Sequence, residues 1–536
     1  MKSASFPASL SHLDRALIFI DEHIKEIDRD NIKQNEIELI CEELLLKLIE
    51  AGKKDAEVQI RLGRQGQDIK IRFECPGDPL FLEANGNEDI GGKILSGYAD
   101  KIRQSYRNDC NIVEVLLWTS ENRRLHINLL MALIGAVLGT ILHYFFYDSS
   151  NFTSLDNLLF SPTYAYLNIF RMLSPLAAFF TLAYSISEFI NKTGNSVKTA
   201  RLAKHYALTS LVCVIWGMVA GELINHFVMT PLEEVPYGSY TSIIGGSLIE
   251  LLRNLTASNI LDLFTQDNPL PMLLVAIIFG LTAANMFGVF GTGIKKALGT
   301  VSEFMCNTLH LVYYVFPIIL LFTVANMALT YGLLTIPVIL LYITLSILTL
   351  AVVLLFYAAS LCRYKIRLKD FWSDYKDIIK TNFQIASNKD AFFYNKRVIR
   401  KKTSLNDAEL TDALRLGIMM NMDGSSVMIA MIMISLFSLH SLSIPETIEI
   451  IALIILLSLG TPNQPGSLFV APVILFTLFN LDQAYFNLLI VAEAFTGKYY
   501  SFINSLGDIV SIAIIDNRFG TQSPARKKVA TKFRDA

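Results

Sequence analysis

Near the C-terminal end, Asn421-Met422-Asp423-Gly424-Ser425-Ser426-Val427 puts a carboxamide, a carboxylate and two hydroxyls inside a stretch, 413–439, that is otherwise mostly apolar apart from Arg415. In a bilayer a centrally placed Asp costs roughly 2.5–3.5 kcal/mol on insertion scales. Such a carboxylate must face protein, water or a bound cation. The glycine that follows lets the backbone open, so freed carbonyls can join the carboxylate as oxygen ligands. Oxygens grouped in this way suit a hard alkali cation.

The elements that must hold these residues follow from composition. The chain has 536 residues, 52% hydrophobic and 18% charged, with mean hydropathy +0.43. The mixture is uneven and does not suit one soluble globule. Residues 1–124 carry dense charge and short apolar runs, whereas from Leu125 onward apolar stretches of membrane-spanning length recur. A formal net charge of −2 gives no reason to expect nucleic acid as a partner. Cys41, Cys75, Cys110, Cys213, Cys306 and Cys362 form no close CxxC pair and read as free thiols. Residues 1–13 lack the apolar core of a cleavable signal. Insertion is therefore expected from an internal span, which leaves the N-terminal domain in the cytoplasm.

Segments 125–147, 164–190, 206–229 and 333–361 meet the requirement of about 20 mostly apolar residues. The pair 269–290 and 301–330 is expected to break at Gly291, Gly293, Lys295 and Lys296. The runs 410–439, 448–479 and 487–515 are apolar but punctuated by Gly, Pro, Asn and Asp. Lys and Arg gather before the first span, in 192–204, at 295–296, in 363–369 and in the tail, and are absent from 148–161 and 330–337. This asymmetry places both termini in the cytoplasm. The run Gly460-Thr461-Pro462-Asn463-Gln464-Pro465-Gly466 cannot continue a helix and reads as the tip of a helical hairpin that enters and leaves on one side. The charged segment 370–402, with Ser387-Asn388-Lys389-Asp390 at its tip, reads as a second and weaker hairpin. The N-terminal 120 residues read as α+β, enough for one modest core. Helices are expected near 10–27, 35–51 and 91–104. A hairpin alternates Val58, Ile60, Leu62 and Ile69, Ile71, Phe73 with polar residues and turns at Gly63-Arg64-Gln65-Gly66, and a strand follows near 113–118.

Asn421-Met422-Asp423-Gly424, ahead of the Gly/Pro-broken hairpin, resembles the dicarboxylate/amino acid:cation symporter family, the glutamate-transporter fold. Tyr206-Ala207-Leu208-Thr209-Ser210 is similar to its Tyr-x-x-Thr-Ser, Asn504-Ser505-Leu506-Gly507-Asp508 to its Asn-x-x-Gly-Asp, and Gly460-Thr461 with Pro465-Gly466 to its second re-entrant hairpin. The resemblance covers about residues 125–516. It implies an α-helical polytopic membrane protein with eight transmembrane segments and two re-entrant hairpins, following an N-terminal cytoplasmic α+β domain. The domains are then 1–120, 121–516 with a transport core at 370–515, and a basic tail at 517–536. It also implies sodium at three places. One uses the Asp508 carboxylate with backbone oxygens of Gly417, Asn421 and Asn504. A second uses carbonyls of Met419, Ser458, Leu459 and Thr461. A third uses Asp423, the Asn421 side chain, Tyr206, Thr209 and Ser210. Solute contacts would come from Ser425, Gln464, Gly466, Tyr500, Ser501 and Asn504.

The chain departs from that family where solute is read. The usual Arg four residues before the Asn of the last span is Tyr500, and the Asp seven residues before it is Gly497. Lys498 could supply a replacement cation or point to solvent or lipid. The N-terminal domain resembles the histidine-kinase-like ATPase fold of anti-sigma-factor kinases, through Glu42-Glu43-Leu44-Leu45-Leu46-Lys47, Glu74-Cys75-Pro76-Gly77-Asp78-Pro79 and Gly91-Gly92. Lys47 stands where active members have a magnesium ligand and Glu74 where they have the adenine-reading Asp. Kinase chemistry is therefore not expected; nucleotide without magnesium, or a protein partner alone, remain open. Taken together these readings imply no enzyme. They imply a homotrimeric, multi-pass symporter of the plasma (inner) membrane that uses sodium or a proton to carry a small organic solute, a dicarboxylate or amino acid, with lipid around it. The alternative is a transporter-like receptor signalling through the N-terminal domain.

Overall fold

The computed structural model describes residues 2–27, 34–53, 56–65, 68–78, 80, 95, 102–107, 109–117, 121–193, 197–229, 255–265, 268–385, 391–437, 442–461, 467–478 and 486–519. Both expected hairpin tips (387–390 and 462–466, with Gln464 and Gly466), Gly91-Gly92 and most of the basic tail lie outside these residues. The chain divides into two compact units, one of residues 1–124 with 375–385 and 389–401, the other holding the remainder.

In the first unit, strand β1 (Lys2–Pro7) leads to helices α1 (Leu13–Ile27) and α2 (Gln34–Ala51), then β2 (Glu57–Gln65), β3 (Asp68–Pro76), β4 (Ile102–Arg107) and β5 (Cys110–Leu117). The sheet is antiparallel throughout, in the order β1-β2-β3-β5-β4. Period-two alternation sends Val58, Ile60, Leu62, Ile71, Phe73, Cys75, Val113 and Val115 to one face, where they share a core with Ile20 and Ile24 of α1 and Ile40, Leu44 and Leu48 of α2. The other face carries a ladder of charges: Lys70 to Glu114 at 2.8 Å, Arg72 to Glu74 at 2.7 Å and to Glu114 at 3.4 Å, and Arg61 to Glu74 at 3.4 Å. The two glutamates offset Arg61 and Arg72, like charges that stand directly opposite in the register.

Two expectations are corrected here. The β2–β3 hairpin is tighter than expected, because Gly63, Arg64 and Gln65 still pair, the last with Asp68. Residues 102–104, expected at the end of a helix, are extended in β4. Residues 2–7 form an edge strand paired with β2.

In the second unit, α3 (Glu121–Phe146), α4 (Phe152–Thr193) and α5 (Val197–Ile224) are followed by α6 (Leu270–Asn285), α7 (Gly288–Val312), α8 (Phe316–Tyr331) and α9 (Thr335–Arg363). Helix α10 (Leu368–Ile385) and α11 (Phe392–Arg400) are the arms of the charged segment. They were expected within the membrane core, yet most of both is grouped with the first unit, where α11 lies against α2. Lys376, Asp377, Lys380, Lys396 and Arg400 make this segment a poor lipid-facing element. The last helices are α12 (Asp407–Met420), α13 (Asp423–Phe437), α14 (Ile444–Leu459), α15 (Val470–Leu478) and α16 (Phe486–Phe519).

Five stretches of the described residues are long and apolar enough to cross a membrane: Leu125–Phe146, Phe152–Lys192, Val197–Phe227, Gly288–Arg363 and Asp407–Leu436. Gly291, Gly293, Lys295 and Lys296 do not break the chain as expected; they sit inside α7. The break falls earlier, at extended Met286 and Phe287, and Gly288 takes φ +75°, a conformation open to glycine. A second irregularity at Tyr313–Val315 precedes Pro317, at the first turn of α8.

Helices α5 and α13 pack backbone against backbone. Gly217 and Gly221 leave no room for a Cβ, which would overlap the Val427 carbonyl at one and run into Met431 and Ile434 at the other. Small residues on one stripe let two backbones meet without a hydrophobic driving force between helices. Lys192 to Asp412 at 3.1 Å and Lys198 to Glu409 at 3.0 Å tie α12 to α4 and α5 at one end.

Burial pushes the Cys75 thiol up to about 11, with neighbouring Cys110 adding to the shift, and raises Cys41 as well. Since the thiolate is the reactive form, both should resist a thiol reagent at pH 8 in native protein and react after denaturation. Native-state labelling of either, read by peptide mass spectrometry, would contradict this core.

Candidate functional site

Helix α12 stops at Asn421, whose backbone leaves helical space (φ −84°, ψ 82°), and α13 starts two residues later at Asp423. The break exposes two complementary ends. Asn421 N donates to the Gly417 carbonyl at 2.9 Å, the last i+4 bond of α12, and the first turn of α13 favours a negative charge, here Asp423.

Asp423 is 1% exposed and Asp508, from α16, is 2% exposed. Three hydroxyls from two helices donate to Asp423: Thr209 at 3.1 Å and Ser210 at 2.8 Å to Oδ1, and Tyr357 of α9 at 2.8 Å to Oδ2. Asn421 links the second carboxylate to the break. Its Nδ2 donates to Asp508 Oδ1 at 2.8 Å and to the Asn504 carbonyl at 2.6 Å. Asn504 returns the bond across the helix pair, its Oδ1 accepting from Gly424 N at 2.7 Å and its Nδ2 donating to Ser425 Oγ at 3.0 Å. Two glycines permit this closeness. A Cβ on Gly417 would overlap the Asp508 carboxylate, and one on Gly424 would overlap the Tyr500 carbonyl.

The expected residues come together in part. Thr209 and Ser210 reach Asp423, whereas the Tyr206 hydroxyl lies near Asp508, outside good hydrogen-bond geometry. Asn421, Asn504 and Gly417 surround Asp508. Ser458, Leu459 and Thr461 stand at the end of α14, where Thr461 N donates to the Ser458 carbonyl at 3.1 Å. Of the solute residues, Ser425, Tyr500, Ser501 and Asn504 are all buried around the α13–α16 contact.

Two buried polar groups went unforeseen. Tyr357 was readable only as one of few polar side chains in the aliphatic run 350–361, and Glu493, 1% exposed on α16, as an acidic residue inside a span. In the first unit, Lys47 and Glu74 do not meet. Glu74 belongs to the charged sheet face, alternating with core residues Phe73 and Cys75, while α2 and Lys47 pack on the other side, Lys47 pairing with Glu50 at 3.5 Å.

The donor set fits an alkali ion. Every ligand candidate is an oxygen, two are buried carboxylates, and Asn421 Oδ1 is buried without receiving a hydrogen bond. These broken and apolar helices are those of a polytopic helical membrane protein. The sodium:dicarboxylate symporter family profile matches residues 126–518, and the chain belongs to that family. It is thus a membrane protein of a transporter family, not an enzyme family, with sodium as the coupling ion that the family implies. A search among curated proteins finds no match.

Tyr357→Phe removes a hydroxyl from a buried carboxylate and should cost about 1.5–3 kcal/mol. Tyr342→Phe is the control, since the Tyr342 hydroxyl is buried without a hydrogen-bond partner, and it should be neutral or stabilising. Thermal unfolding in detergent compares the two. The reverse order would remove the hydroxyl cage.

Proposed function

We propose that the chain is a secondary active symporter in which inward sodium movement drives uptake of a small organic solute. The observation that carries this is the pair of buried carboxylates at the break between α12 and α13, Asp508 held by Asn421 and Asp423 held by Thr209, Ser210 and Tyr357. Sodium would be held at Asp508 with the Gly417, Asn421 and Asn504 carbonyls, and at Asp423 with Asn421, Tyr206, Thr209 and Ser210. A further position would use Met419 with Ser458, Leu459 and Thr461. Its charge offsets two carboxylates that the bilayer interior otherwise penalises.

Asn504 couples the parts. It touches both the Asn421 bridge and Ser425, so ordering the carboxylates also orders the polar surface that meets solute. With cation and solute in place, the tip at 462–466, including Gln464 and Gly466, closes over Ser425, Ser501 and Asn504. The loaded unit of α12–α16 then crosses as a rigid body, an elevator-like alternation of access. By the resemblance the assembly is a homotrimer in the plasma (inner) membrane, with both termini cytoplasmic. The family match speaks for transport and leaves the receptor alternative unsupported.

Purified protein in liposomes should accumulate solute at least about tenfold faster under an inward sodium gradient than under potassium, and Asp508→Asn should abolish the difference. Uptake indifferent to sodium and to a proton gradient would overturn the reading.

A further inference from the structure

Helices α3, α4 and α8 are fastened to one another. A Cβ on Gly135 or Gly139 of α3 would overlap backbone carbonyls of α8, and His143 Nδ1 of α3 meets the Leu329 carbonyl at 2.7 Å. Thr163 of α4 and Thr323 of α8 share a buried hydrogen bond at 3.0 Å. None of these helices belongs to the unit α12–α16 that crosses in the transport reading above. Helix α16 does, and two buried carboxamides tie it to this frame. Asn487 Nδ2, in its first turn, donates to Asn326 Oδ1 of α8 at 3.1 Å. Asn128 Nδ2 of α3 donates to the Ala494 carbonyl at 3.2 Å. Positions 487 and 494 lie on one face, two turns or about 10 Å apart along the axis.

The first tie has a fixed polarity. Asn326 Nδ2 is engaged by Asp156 Oδ1 of α4 at 2.7 Å, and a carboxylate can only accept. The Asn326 amide must therefore turn its oxygen to Asn487, and Asn487 must donate. Asn487 Oδ1 is left buried with no hydrogen-bond partner. The tie also has a fixed height. One turn further along α16 the same face carries Ile490 and Val491, whose side chains cannot donate. A slide of α16 past α8 would strip Asn326 of its donor inside the bundle, where an unsatisfied acceptor is costly. Elsewhere the boundary is aromatic. Phe469, just before α15, meets Phe170 of α4 at 4.9 Å and Phe316 of α8 at 5.7 Å between ring centroids. Those faces have no donor to lose.

We propose that Asn487, Asn326 and Asp156 form a polarised latch that holds α16 at one height against α4 and α8. The mobile unit then leaves this position in one step rather than by degrees. This rests on the transport reading above.

The test reverses the polarity of the latch. Asn487→Asp sets a carboxylate oxygen against Asn326 Oδ1 and should open it. Adding Asp156→Asn lets the Asn326 amide turn over, so that donors run from position 156 through Asn326 to position 487, and should close it again. Nitroxides are attached through Tyr144→Cys of α3 and Ile444→Cys of α14, both exposed positions. The full chain also carries Cys110→Ser and Cys362→Ser, which remove the two cysteines that are not buried. Spin–spin distances are measured in liposomes in sodium. With Asn487 in place one distance should dominate. Asn487→Asp should add a second distance in at least about a tenth of molecules, and Asp156→Asn should remove it. Asn487→Leu should also open the latch, without rescue by Asp156→Asn, and it serves if Asn487→Asp does not fold. Unchanged distances in both variants at 487 would overturn the proposal. So would a second distance that persists in the double variant, or two comparable distances in the parent. Uptake of radiolabelled succinate, malate and the common amino acids under a sodium gradient, in wild-type liposomes, separates the two readings. If any is driven by sodium, only the latch falls; if none is and no variant shows a second distance, the transport reading falls with it.

Discussion

A carboxamide holds the membrane unit's polar centre together. Asn421 Nδ2 is shared between the Asp508 carboxylate and the Asn504 carbonyl, at 2.8 and 2.6 Å, while its Oδ1 receives no hydrogen bond. One side chain at a helix break thus fixes the position of a buried charge on a distant helix and still presents an acceptor. The constraint that follows is severe. Two carboxylates stay inside an apolar bundle only where oxygen dipoles and hydroxyls, or a neutralising charge or proton, replace water. Asp423 shows the protein's share, three hydroxyls drawn from α5 and α9.

The surrounding packing is organised to keep that centre closed. Gly217 and Gly221 bring α5 against α13 until backbone atoms meet, which carries Thr209 and Ser210 to the first turn of α13. Gly424 admits the Tyr500 carbonyl, and Gly417 admits the Asp508 carboxylate. A side chain at any of these positions would separate the helices by a distance that the short hydrogen bonds of the site cannot span. Packing and chemistry here are one requirement.

Much of this was legible in the residues. A carboxylate, an amide and a glycine in an otherwise apolar run announce a broken span, and α12 and α13 part at Asn421 and Met422 accordingly. Alternation of Val58, Ile60 and Leu62 announced β2, and the core confirms it. The misses have physical causes. Strands β1 and β4 lie at the sheet edges, where one-sided pairing leaves only a faint hydrophobic pattern. Gly291 and Gly293 suggested a break, but both lie within α7, and the chain turns earlier, at Met286 and Phe287, where Gly288 supplies the positive φ. Tyr357 and Glu493 were hidden because a single polar residue on an apolar helix does not reveal which way it points. Only packing assigns them, Tyr357 to Asp423 and Glu493 to Tyr500.

Capture of sodium by the two buried carboxylates is the central claim, and equilibrium binding of radioactive sodium to the purified protein tests it most directly. The account predicts saturable binding that potassium displaces poorly and that falls when either Asp423 or Asp508 becomes Asn. Binding that never saturates, or that survives both substitutions together, would contradict it.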